Sequence, residues 1–351
     1  MRLNLPLLLM LSGIGLMLTS GIPAVFEFMS MQGFPSNPTS SLFPSHWFIM
    51  IYGFFGALIG NEILVALSVE WSGKIANNNL IISFTALTII ASLSSFFVSI
   101  LFSMFLEIIS ISILLLYSQT YLNYSKIGLK PSTYNWLLLF SLIITIIILS
   151  FQIGLGYVIP YVNLFFPIGV IFAVMSRDLA LVTRAKINDS EIALAFIFLT
   201  LGIISYSSFY GEALLFLAWL LSFHSSKLYK FKGRKYPILH LTTAWIFFLT
   251  SIIFYANYDI FIHSIAVGFL FNTVFGVDVV LMDMFVNAFG KVSVKPSYIP
   301  YILMNSGLMM RIIYDLGVNY SFLILSAPLQ GFGILSFFIL TLRQVLLKNK
   351  V

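Results

Sequence analysis

Four histidines and no cysteine limit the chemistry open to this 351-residue chain. Disulfides, thiolate-bound metals, iron–sulfur clusters and cysteine catalysis are excluded. His46 and His263 each stand at the start of a long apolar run, and both runs cross from the same side, so the two imidazoles belong at a similar depth near the outer face. Imidazoles facing one another from two helices can ligate a haem iron from opposite sides. Isolated interfacial histidines also occur without any such role. On the His46 run, Met50, Gly53 and Gly60 share one helical face with the histidine. The glycines there admit either a macrocycle or another helix. His224 and His240 form a possible second pair, near the inner face beside the basic stretch Lys227–Lys235. Interfacial residues of a hairpin would look the same.

The acidic groups suggest ion or proton chemistry. Glu62 follows His46 by 16 residues and Asp278 follows His263 by 15, which is about 24 and 22 Å of helix. Facing carboxylates at that inner level could hold a proton or a cation, or each could be bonded locally. Glu107 lies deeper in its run, and the sequence predicts a protonated group or a member of a proton relay. Arg311 and Asp315 are four residues apart, the spacing of an intrahelical ion pair. Alternatively, Arg311 binds an anion such as a haem propionate.

The elements that carry these groups must be membrane helices. Hydrophobic residues make up 60% of the chain and charged residues 9%, against roughly a quarter charged in soluble domains. Apolar segments fall at about 3–25, 46–69, 80–96, 98–122, 134–152, 155–175, 192–208, 210–226, 237–256, 260–282, 298–316 and 320–345. They do not alternate as barrel strands would. The expectation is an all-α polytopic membrane protein of about 12 transmembrane helices, with residues 1–351 as a single transmembrane domain. The first segment reads as a spanning helix rather than a cleavable signal. The least marked divisions lie near Ser94–Ser95 and Tyr210–Gly211. No internal repeat or low-complexity tract is evident. The connection from about Phe26 to Ser45, with Pro35, Pro38 and Pro44, reads as a loop.

Charge supports the count independently. With that topology, 17 of the 18 Lys and Arg fall on the side of the N-terminus, from Arg2 through Lys74, Lys126, Lys130, Arg177, Arg184 and Lys186 to Lys350. Arg311 is the exception, inside a helix, and the other side carries Glu27, Glu212 and Asp259. The positive-inside rule makes the basic side cytoplasmic, with both termini there and the cell membrane as location. The basic residues set orientation, so a nucleic-acid partner is not indicated. No motif marks a hydrolase, kinase or nucleotide-binding protein.

Two stretches carry a resemblance. One begins His46-Trp-Phe-Ile-Met50 and runs through Gly53, Gly56 and Gly60 to Leu67; the other begins Tyr258-Asp259, passes His263 and Gly268-Phe269, and ends at Gly276. Together they resemble the distant relatives of haem–copper oxidase subunit I that include the NnrS-like membrane proteins. The Arg311–Asp315 stretch resembles the ends of members of this group. The resemblance implies a haem–copper-oxidase-like bundle, haem b held by His46 and His263, and a role in a respiratory chain. That role would be electron transfer involving quinol or a redox partner subunit, or handling of a gas such as nitric oxide. There are departures: Phe48, Ile63 and Val277 stand where relatives tend to have His, Arg and His. A full oxidase needs six histidines, and four are present, so a terminal oxidase is excluded and a copper centre is disfavoured. Two other classes fit the same residues. One is an ion-coupled secondary transporter using Glu62, Glu107 and Asp278; the other is a non-catalytic membrane subunit of a respiratory complex.

Overall fold

The computed structural model describes residues 5–31, 40–125, 128–206, 208–230, 234–280, 295–318 and 321–348. Arg2, Lys126, Lys232, Lys291 and Lys350 of the basic set lie outside these residues, as do Pro35 and Pro38. Among the described residues there is no strand. With no water in a bilayer core, backbone groups must be satisfied within each segment, and helix does this.

The apolar segments appear as helices in chain order. In the first half these are α1 (Leu5–Met31), α2 (Leu42–Ser72), α3 (Asn78–Phe97), α4 (Ile100–Leu122), α5 (Thr133–Leu155) and α6 (Pro160–Thr183). In the second half they are α7 (Asp189–Ile204), α8 (Phe209–Ser226), α9 (Lys235–Ile253), α10 (Tyr258–Val280), α11 (Ile299–Asp315) and α12 (Ser321–Lys348). Among the described residues nine are long and apolar enough to cross a membrane, so the chain is a multi-pass helical membrane protein. The other three, α7, α8 and α11, have 16, 18 and 17 residues. They are short, or interrupted by polar groups such as Glu212 and His224 on α8.

In a chain this apolar, hydropathy is a poor guide to where a helix ends; small polar residues mark the ends instead. The hydroxyl of Ser99 accepts from the Phe102 amide at 3.2 Å and starts α4, so the α3–α4 break falls at Val98–Ser99 rather than at Ser94–Ser95. Ser208 caps α8 by accepting from the Gly211 amide at 3.1 Å, so that break lies before Phe209. Gly73 and Gly156, at φ of 73° and 72°, end α2 and α5 in the left-handed conformation that other residues avoid. Pro160 opens α6, which starts later and runs further than the apolar pattern suggests. Arg177 therefore sits inside α6, bound to Asp178 at 2.9 Å, and Glu27 sits inside α1.

The chain divides into two compact units, Met1–Val174 and Met175–Val351. In the first, the glycine face of α2 is covered by its neighbours. A Cβ on Gly53 would lie 2.6 Å from Ser92 Oγ of α3 and 3.1 Å from Leu16 of α1, and one on Gly60 would overlap Phe84. Of the two readings of those glycines, close helix approach is the one present. Ile82, Ile90, Leu93 and Phe97 of α3 and Phe140, Ile147 and Phe151 of α5 point outward, as lipid-facing rows do. In the second unit, Gly307 of α11 meets backbone of α12 at Ser326 and Gln330, and Phe275 stacks on Phe337 at 3.7 Å.

Candidate functional site

His46 is held before its helix straightens. Ser45 Oγ donates to the Ser95 carbonyl at 2.7 Å, which anchors the entry to α2. The imidazole lies parallel to the Phe43 ring, 6.3 Å between centroids. Its Nδ1 is 3.0 Å from the Ser20 carbonyl oxygen. A carbonyl can only accept, so Nδ1 carries a proton, and it is the neutral form of this imidazole that has its lone pair on Nε2.

His263 repeats the arrangement in the second unit. Asn257 caps α10 by accepting from the Ile260 amide at 3.1 Å. Nδ1 of His263 donates to the Asp259 carbonyl at 2.9 Å, with Asp259 Oδ1 at 3.3 Å, so Nδ1 again carries a proton. The other Asp259 oxygen accepts from Arg311 Nε at 2.7 Å. Arg311 also pairs with Asp315 at 3.4 Å, as the four-residue spacing predicts. Two carboxylates thus compensate one buried guanidinium. That arrangement suits Arg311 to orienting Asp259, and through it His263, better than to receiving a further anion.

Both histidines precede wide helical turns. Residues Ile49–Phe54 of α2 and Ser264–Phe271 of α10 are π-helical, and a second such stretch follows at Glu62–Ala66. The Phe55 amide reaches back five residues to Met50, and the Leu67 amide to Glu62. Such turns cost stability and concentrate at functional sites. Glu62 opens one of them and is half-buried; Asp278 is half-buried near the far end of α10.

The possible second histidine pair divides. His224 is largely exposed and bonds Glu191 at 2.9 Å. His240 is wholly buried, with Nδ1 donating to Asn272 Oδ1 at 2.9 Å and Nε2 without a hydrogen-bond partner. Asn272 and Asn305 exchange amide bonds at 2.8 and 3.2 Å, tying α9, α10 and α11 together. The first unit has a counterpart. Gln152 and Asn163 exchange bonds at 3.0 and 3.1 Å, and the Tyr52 hydroxyl donates to Asn163 at 2.7 Å. Glu107 is 1% exposed, and its Oε1 has no hydrogen-bond partner.

A search for ionisable groups misses Asn163, Gln152, Asn272 and Asn305. A primary amide in an apolar helix is a comparable signal, because unpaired it costs several kcal/mol. The Asp259–His263 spacing of four was also available, but Asp259 at the edge of an apolar run reads as a loop residue. No family model matches the chain, and no curated protein or solved structure matches it either. The site's own residues therefore carry the functional reading.

Proposed function

We propose that the chain is a twelve-crossing membrane protein with a haem–copper-oxidase-like bundle that binds haem b. His46 and His263 are its axial ligands, and its basic loops and termini face the cytoplasm. Its work is electron transfer, with quinol or a redox partner subunit, or the handling of a gas such as nitric oxide. One observation supports this most. Both imidazoles donate Nδ1–H to a backbone carbonyl, at 3.0 Å for His46 and 2.9 Å for His263, which makes Nε2 the ligand nitrogen of the neutral ring. Metal-binding histidines are oriented in this way: the remote nitrogen is anchored, the tautomer is fixed and the ligand nitrogen becomes more basic.

Each imidazole has the anchoring of a haem ligand within its own unit, whereas Arg311 is less suited to a propionate because it already holds Asp259 and Asp315. A bound haem b would supply reversible one-electron chemistry and an iron able to bind a diatomic gas. The chain's part is to hold and tune. Asp259 pulls on the Nδ1 proton of His263, and Arg311 limits that pull by sharing the carboxylate. The test is haem content after purification in mild detergent from cells supplied with haem. The proposal expects a b-type absorption band in the wild type, and its loss in His46→Ala and in His263→Ala. Well-folded wild-type protein without haem would refute it.

A further inference from the structure

A second site, independent of the haem reading, lies inside the first unit. The α3–α4 hairpin is pinned by a bond between Thr88 Oγ1 and Ser110 Oγ, 3.0 Å long and fully buried. Ser92 is one turn beyond Thr88 on α3. Glu107 is one turn before Ser110 on α4, which runs the opposite way. Both side chains therefore stand at one level, a turn from the same bond. Glu107 Oε1 and Ser92 Oγ are both buried, and both lack a hydrogen-bond partner. Gly53 of α2 lies across from Ser92, where any side chain would press on the hydroxyl. Other hydroxyls close by are committed: Tyr52 donates to Asn163 at 2.7 Å, and Ser103, one turn before Glu107, donates to the Ser99 carbonyl at 2.9 Å.

An ionised carboxylate in such a place costs far more than a protonated one unless a cation compensates it. Among the described residues no ion pair reaches Glu107. Two unpartnered oxygens are too few to replace the water around a hard metal cation, which takes about six or more. A proton needs only one carboxyl oxygen, and a bridging water is enough to connect that acid to the Ser92 hydroxyl.

We infer that Glu107 carries one exchangeable proton in the interior of the first unit, handed to and from a water held by the Ser92 hydroxyl. The test is infrared spectroscopy of the purified protein in detergent, in H2O and then in D2O. The difference between wild type and Glu107→Gln should contain one carboxylic-acid carbonyl band. That band should shift to lower frequency in D2O, and it should shift to higher frequency in Ser92→Ala, which keeps the acid and removes its partner. Three results would overturn the inference. They are a missing acid band at neutral pH, a band unmoved by D2O after prolonged exchange, and a band removed by added sodium chloride, which would mark a metal-cation site. If Glu107→Gln fails to fold, Ser92→Ala alone decides: a band unchanged in that variant also overturns the inference.

Discussion

The two units handle buried polarity differently. Among the described residues each has one reciprocal amide pair, Gln152–Asn163 in the first and Asn272–Asn305 in the second. The first pair ends on satisfied groups, since Gln152 also accepts from the Ile159 amide at 2.7 Å and Asn163 from Tyr52. The second ends on His240, whose Nε2 has no hydrogen-bond partner. The acids differ as well. Asp259 and Asp315 share Arg311, whereas Glu107 has no cation beside it among the described residues. In the second unit Arg311 neutralises this pair of acids, whereas we infer that a proton neutralises Glu107 in the first. A buried ion cluster breaks badly when one member is lost, while a neutral acid can be replaced by its amide at small cost.

Removing Arg311 should have the largest effect. Arg311→Leu leaves two carboxylates facing one another, Asp315 buried and Asp259 37% exposed, a loss on the order of 3 kcal/mol, the low end for a buried pair because water screens Asp259. Thermal unfolding in detergent should show a large fall in midpoint, and Glu107→Gln in the same assay should stay near wild type. Equal falls in both would erase the contrast between the units.

The amide pairs come next. Asn305→Leu removes two bonds from Asn272, which keeps the Gly268 carbonyl and His240. Gln152→Leu removes two from Asn163, which keeps the Ile159 carbonyl and Tyr52, and takes the acceptor from the Ile159 amide. Each should cost about 1–3 kcal/mol, from the buried hydrogen bonds that are lost. Gln152→Leu should be the worse, because Gln152 holds a backbone amide as well as a side chain. The reverse order in thermal unfolding would show that the second pair carries more of the fold. The smallest effect is expected for Tyr52→Phe, which removes one neutral hydrogen bond of 2.7 Å and costs about 1 kcal/mol.

The helical membrane architecture was legible because it depends on long apolar runs, which no competing signal disturbs. Helix ends were less so. Ser94 and Ser95 resemble a break by composition, yet both are buried within α3, and the real break is at Ser99, where the hydroxyl caps the next helix. Among site residues, the Arg311–Asp315 pair followed from spacing alone. Its extension to Asp259 did not, because the contact joins positions 52 residues apart. The π-helical turns after His46 and His263 have no clear signature in residue type. The helix-packing role of Gly53 and Gly60 likewise needed the positions of Ser92, Leu16 and Phe84.

The central claim is that His46 and His263 are iron ligands, and low-temperature electron paramagnetic resonance of the oxidised protein tests it most directly. The account predicts a low-spin bis-imidazole ferric signal in the wild type. Either His46→Ala or His263→Ala should convert that signal to high spin or abolish it with the haem, whereas His224→Ala leaves it unchanged. A low-spin signal that survives both substitutions, or wild-type protein with no ferric haem signal at all, would contradict the claim.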